Sequence, residues 1–205
     1  RESTMLEAFQ AVGIVPDGEN LSARYHQLIR EAQEFRRTEG IEFPEVEIRE
    51  IWQQLAGDVN ELEALAVEFE CRSNPVWPMP NLHETLRAIR DRGLDLGIVS
   101  NAQFYTPHLF SALTETSLSE FGLLPERQIY SFKLREGKPS TTLYERLADQ
   151  LEPAKTLYVG NDMLKDIWPA QKVGFQTALF AGDKRSLRTR EDDERVADCE
   201  PDLIV

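Results

Sequence analysis

The sequence predicts an α/β protein: a parallel sheet covered by helices, preceded by an all-helical region. Three observations predict it. Residues 1–74 read as helices, with no convincing strand. Residues 75–80, Pro-Val-Trp-Pro-Met-Pro, place three prolines in six positions, which suits a stiff hinge and neither a helix nor a central strand. Residues 81–205 alternate short apolar runs with helical segments, the pattern of a parallel sheet with both faces covered.

In the helical region, Thr4 with Glu7 three residues on reads as a capping box ahead of Met5, Leu6, Phe9 and Val12. Asn20 is positioned to cap a long helix reaching about Gly40, with Leu21, Tyr25, Leu28, Ile29 and Phe35 as its apolar stripe. Pro44 stands where a third helix is expected to begin, with Ile48, Ile51, Trp52 and Leu55 at helical spacing. Asp58, with Glu61 at the third position, is the expected cap of a fourth helix carrying Leu62, Leu65, Ala66 and Phe69.

In the second region Asn81 is the expected cap of a helix ended by Gly93. Strands are expected at 94–99, 129–132, 156–159, 176–180 and 203–205, and helices at 104–113, 140–151 and 164–173. The charged stretch 184–195 carries both signs and reads as a solvated segment, not a binding tail.

The chain has 205 residues and a formal net charge of −13, which argues against a general nucleic-acid binder. No apolar run approaches the ~20 residues of a membrane helix, and no signal peptide is visible. Cys71 and Cys199 form no disulfide framework, so reduced thiols and a cytoplasmic location are expected. His26, His83 and His108 have no partner at ligand spacing, and Trp52, Trp77 and Trp168 read as packing residues.

In a parallel sheet, ligands collect at the carboxyl ends of the strands. After the 94–99 strand come Ser100 and Asn101, a hydroxyl and an amide able to bond an anionic oxygen. After the next come Gly137-Lys138-Pro139-Ser140, where the proline keeps Lys138 extended and its ammonium free to reach inward. After the third come Gly160-Asn161-Asp162 and then Asp166, two carboxylates four apart at a strand-to-helix turn. Each has a plain structural role as a cap or a surface charge. In order along one sheet edge, a hydroxyl, a cation and an oxygen-rich cation site are complementary to a phosphate.

This ordered set resembles motifs two, three and four of the haloacid dehalogenase superfamily, and the helical region before it resembles the helical cap inserted after the first strand in one subfamily. The resemblance covers essentially the whole chain. It implies a Rossmann-like core at 81–205, a cap at 1–74 and a Mg²⁺-dependent phosphatase of a small phosphorylated metabolite. It further implies phosphoryl transfer to an aspartate, followed by hydrolysis of the acyl phosphate. By position, Ser100 and Asn101 would bind the phosphoryl group and Lys138 would screen its charge. Asp162 and Asp166 would hold Mg²⁺. The fourth motif aligns two ways, so Asn161 shares with Asp162 the claim to its first position.

One departure is large. The family's nucleophile lies in a first motif, Asp-x-Asp-x-Thr, on a strand upstream of the cap, and this sequence has none. Val15-Pro16-Asp17-Gly18-Glu19 is the nearest imitation and reads as a turn. In the family that strand lies mid-sheet, between the strands at 94–99 and 156–159. The expectation is therefore an upstream segment, or a separate N-terminal peptide, that completes the sheet; the non-Met start agrees with it. Two alternatives stand beside the phosphatase: a 2-haloacid dehalogenase, which needs no metal, and a catalytically dead binding module.

Overall fold

The computed structural model describes residues 2–205. The chain divides into two compact units. The first holds the described residues up to Asp95 together with Ala102–Gly122; the second holds Leu96–Asn101 and Leu123–Val205. Residues 102–122 thus group with the helical region, because the Gln103 amide pairs with Val46 O and Ile48 N and because Phe104 and Tyr105 pack on its core; the helix at Leu82–Asp91 joins them, as the Arg90 guanidinium donates to Glu120 O and His83 packs edge-on against Phe121.

The helical unit contains α1 (Glu2–Ala11), α2 (Leu21–Thr38), α3 (Ile48–Ala56), α4 (Leu62–Ser73), α5 (Leu82–Asp91) and α6 (Thr106–Thr114). Its centre is aromatic. Trp52 is fully buried, and its ring lies 6.1 Å from Phe9, 5.1 Å from Tyr25 and 5.3 Å from Phe69. These four rings come from α1, α2, α3 and α4, so one side chain draws four helices together.

The caps differ from those expected. Thr4 lies inside α1, so it closes no capping box. Asn20 precedes α2 but sits at φ 58 and makes no side-chain cap. The Glu2 carboxylate does that work, accepting from Leu21 N and Ser22 N at 2.9 and 2.7 Å. Asn81 likewise precedes α5 without a side-chain cap. Helix α3 begins at Ile48, not at Pro44, because Glu47 accepts from Arg49 N while the Gln103 amide pairs with Val46 O and Ile48 N. Residue Glu61, and not Asp58, stands at the start of α4.

The second unit carries β1 (Leu96–Ser100), β2 (Leu123–Tyr130), α7 (Ser131–Leu134), α8 (Thr142–Ala148), β3 (Leu157–Gly160), α9 (Trp168–Val173), β4 (Gln176–Leu179) and β5 (Leu203–Ile204). All strand pairs are parallel, as the alternation predicts. They form two sheets: β1 with β2, and β3-β4-β5 in that order. Strand β2 is longer and starts earlier than the expected 129–132, since Leu123 and Gln128–Tyr130 pair with β1 across an irregularity. The helix expected at 164–173 opens as a π-helical turn over Met163–Ile167 before α9. Trp77 is 75% exposed, contrary to a packing role, because its proline-bounded segment joins no regular element.

No helix among the described residues is long and apolar enough to cross a membrane.

Removing the Trp52 ring should cost the helical unit about 3–5 kcal/mol, the range for large-to-small core changes. Urea unfolding of Trp52→Ala against the parent protein measures this; a loss below about 1 kcal/mol contradicts the central role of the ring.

Candidate functional site

The carboxyl ends of β1 and β3 and the turn after α7 converge on one cleft of about 320 Å³. Every residue singled out from sequence lines it: Ser100, Asn101, Lys138, Asn161, Asp162 and Asp166. Four residues not singled out line it too: Lys165, Ser186, Arg188 and Arg190.

Asp166 is 4% exposed and accepts four hydrogen bonds. On Oδ1 it takes Lys138 Nζ at 2.6 Å and Tyr158 OH at 3.2 Å; on Oδ2 it takes the backbone N–H groups of Asn161 and Asp162 at 3.1 and 3.0 Å. A glycine at 160 permits this approach, since a Cβ there would fall far inside contact distance of the Asp166 side chain. Burial alone would lower the Lys138 ammonium's pKa, but the Tyr158 oxygen and the Asp166 carboxylate hold it above its ordinary value.

Asn101 ties two loops together. Its Oδ1 accepts from Lys138 N at 2.7 Å, and its Nδ2 donates to Lys138 O at 3.4 Å. The amide is thereby turned to the Lys138 backbone and positions that residue. Ser100 Oγ makes only a long 3.3 Å contact to Asn101 O, which leaves the hydroxyl available to a ligand oxygen.

Asp162 opens the π-helical turn. Its Oδ1 accepts from Leu164 N and Lys165 N, both at 3.0 Å, and the Arg190 guanidinium forks onto both oxygens, with Nη2 2.6 Å from Oδ2. Burial would raise the Asp162 pKa, yet Arg190 and the two N–H donors hold it below the usual carboxylate range. Residues 186–190 are registered on this turn as a strap. Arg188 N donates to Asn161 O, Met163 N donates to Arg188 O, and Asn161 Nδ2 donates to Ser186 O. The charged stretch read as a solvated segment is, over these residues, a wall of the cleft. Its only sequence signal was Arg-Thr-Arg, two cations at strand spacing beside the expected site.

Mg²⁺ wants an octahedral shell of oxygens. Among the described residues no three His, Cys, Asp or Glu side chains gather to hold a metal. Both cleft carboxylates are already taken by a cation and by N–H donors. The described residues by themselves therefore do not fit Mg²⁺. The cleft instead sets four cations, Lys138, Lys165, Arg188 and Arg190, against two carboxylates, and so favours an anion.

Arg190→Met should lower stability by about 1 kcal/mol at neutral pH, the scale of a half-exposed charged hydrogen bond. The Asp162 carboxyl is depressed in the folded state, so this contribution is present above its unfolded pKa of about 3.9 and fades as pH falls through the folded value. Urea midpoints of the two proteins at pH 7 and at about pH 3 should therefore converge on the acid side. A gap of constant size contradicts the pairing.

A family model described as haloacid dehalogenase-like hydrolase matches residues 3–174. No curated protein matches the chain in sequence. Among solved structures, a 2-haloacid dehalogenase of Pseudomonas syringae pv. Tomato DC3000 is similar, with a TM-score of 0.58 and 17% identity over 100% of this chain and 84% of that one. A HAD phosphatase of Thermococcus onnurineus gives 0.54 and 21%, over 100% and 86%. A HAD hydrolase of Bacillus subtilis, described as bound to magnesium, gives 0.50 and 16%, over 100% and 86%. At these identities the likeness establishes the fold, while the family match covers most of the chain. The chain belongs to the haloacid dehalogenase-like hydrolases.

Proposed function

We propose that this hydrolase cleaves phosphate monoesters of a small metabolite, with the phosphoryl group held at Ser100 and Lys138. The observation that carries the reading is the cleft itself, lined by four cations against two carboxylates in a chain whose net charge is −13. Ser100 Oγ offers a hydroxyl to one phosphoryl oxygen. Lys138, anchored by Asp166 and by the Asn101 amide, offers its remaining ammonium N–H groups to the charge that develops in transfer.

The attacking carboxylate belongs, in this reading, to a strand added between β1 and β3, upstream in the same polypeptide or on a separate peptide. Two features support it. Strands β1 and β3 each end their sheet, and Tyr158 OH lies 3.3 Å from Val99 O, which keeps the two edges near one another. On β3, Leu157 and Val159 are 46% and 54% exposed, unusual for the apolar residues of a parallel strand. The Mg²⁺ dependence that goes with this activity needs oxygen ligands beyond those of the described residues, such as a carboxylate on that strand. The two free cysteines fit a reducing compartment, and the cytoplasm is the proposed location.

A second reading has its own support. Both cleft carboxylates are neutralised internally, by Lys138 and by Arg190, which suits the metal-free displacement of halide by a 2-haloacid dehalogenase.

The test is phosphate release from p-nitrophenyl phosphate, beside halide release from 2-chloropropionate, by the protein as made in its own cell. Phosphate release that is lost with EDTA and lowered about 10²–10³-fold by Lys138→Met upholds the proposal. Halide release that is indifferent to EDTA favours the second reading, and binding of phosphate without either turnover favours a dead module. Intact mass under denaturing conditions should show a species heavier than 23.5 kDa or a co-purified peptide; a folded, active 23.5 kDa chain alone contradicts the added strand.

A further inference from the structure

The cleft has more positive charge than its own carboxylates use. Lys138 is paired with Asp166, and Arg190 spends Nε and Nη2 on Asp162. Lys165 and Arg188 meet no carboxylate among the described residues. The Arg188 guanidinium donates through Nη1 to Arg185 O and Leu187 O, and the Lys165 ammonium has no hydrogen-bonding partner among the described residues. Here neither cation supports the fold through an ion pair, and like charges gathered in one cleft repel.

The strap keeps this charge in place. Its backbone pairs with Asn161 and Met163, so Arg188 and Arg190 are registered to the same turn that carries Lys165. Lys138, in the turn after α7, and Ser100, at the end of β1, come from other parts of the chain and line the same cleft.

We propose that the cleft has two anion subsites, and that the substrate carries a second oxyanion, a carboxylate or a second phosphate, bound by Lys165, Arg188 and the unspent Nη1 of Arg190. The proposal rests on the phosphate monoester reading for the first subsite only, since binding is measurable without turnover.

Calorimetry on the whole protein, with 3-phosphoglycerate and glycerol 3-phosphate as matched probes and 2,3-bisphosphoglycerate as the second-phosphate probe, tests it. The expected result is binding of 3-phosphoglycerate or the bisphosphate at least about tenfold tighter than glycerol 3-phosphate, the scale of one added charged hydrogen bond. Lys165→Met and Arg188→Met should each bring that ratio close to one. Lys184→Met, which removes an exposed charge outside the cleft, should keep it. Equal binding of all three probes, a ratio untouched by the two cleft variants, or no binding of any probe overturns the second subsite. The phosphatase reading fails separately. Discrimination in binding with no phosphate release upholds the subsite and overturns that reading, while release without discrimination does the reverse.

Discussion

The buried carboxylate of Asp166 is the constraint on which the second unit is arranged. A carboxylate at 4% exposure needs compensation on both oxygens, because an unpaired buried charge costs several kcal/mol. Its four donors come from separate places in the chain: Lys138 after α7, Tyr158 on β3, and the backbone of 161 and 162. Satisfying one group thus fixes two loops and a strand end. Tyr158 extends the tie, since its hydroxyl also meets Val99 O on β1 and the Tyr144 hydroxyl, and Tyr144 donates to Lys165 O. The polar atoms of the cleft are held by a network that is closed on the buried side.

Asp162 solves a different problem with the same chemistry. The chain leaves β3 and enters a π-helical turn, whose first N–H groups have no intrahelical partner. The carboxylate supplies that partner, and its remaining capacity is filled by Arg190. A short parallel bridge then forms between Asp162 and Arg188, and the strap becomes a wall. A carboxylate spent in this way is a structural anchor. The oxygen-rich turn that suggests a cation site in sequence is, in three dimensions, largely occupied by the protein's own donors.

The parts of the site that were legible in sequence are those placed by local rules. Ser100, Lys138 and Asp166 each follow a strand or precede a helix, and a parallel sheet brings such positions to one edge. The roles within the site were less legible, because they depend on contacts between distant segments. Asn101 reads as a ligand for an anion, yet its amide is directed to the Lys138 backbone 37 residues away. Lys165, Arg188 and Arg190 look like ordinary surface charge until the strap is registered on the turn at 161–163. The fold shows the same division. Apolar periodicity found the helices, but caps such as Glu2 on α2 reach across 19 residues, beyond any local pattern.

The exposed apolar side chains of β3 connect the fold to the chemistry. In the β3-β4-β5 sheet, Thr177, Ala178 and Leu179 of the central strand are buried, while Leu157 and Val159 at the edge are about half exposed. An edge strand that shows apolar residues and unpaired backbone groups invites another strand, and proteins usually blunt such an edge with charge or a bulge. Neither device is present on Leu157–Gly160. The same strand ends at Gly160, beside Asp166 and the mouth of the cleft. Any strand that paired with this edge in parallel would bring its carboxyl end to Ser100, Lys138 and Asp166. Completing the hydrogen bonds of the sheet and supplying the site with a further side chain are then one event, so the stability of this edge and the activity of the cleft should rise and fall together.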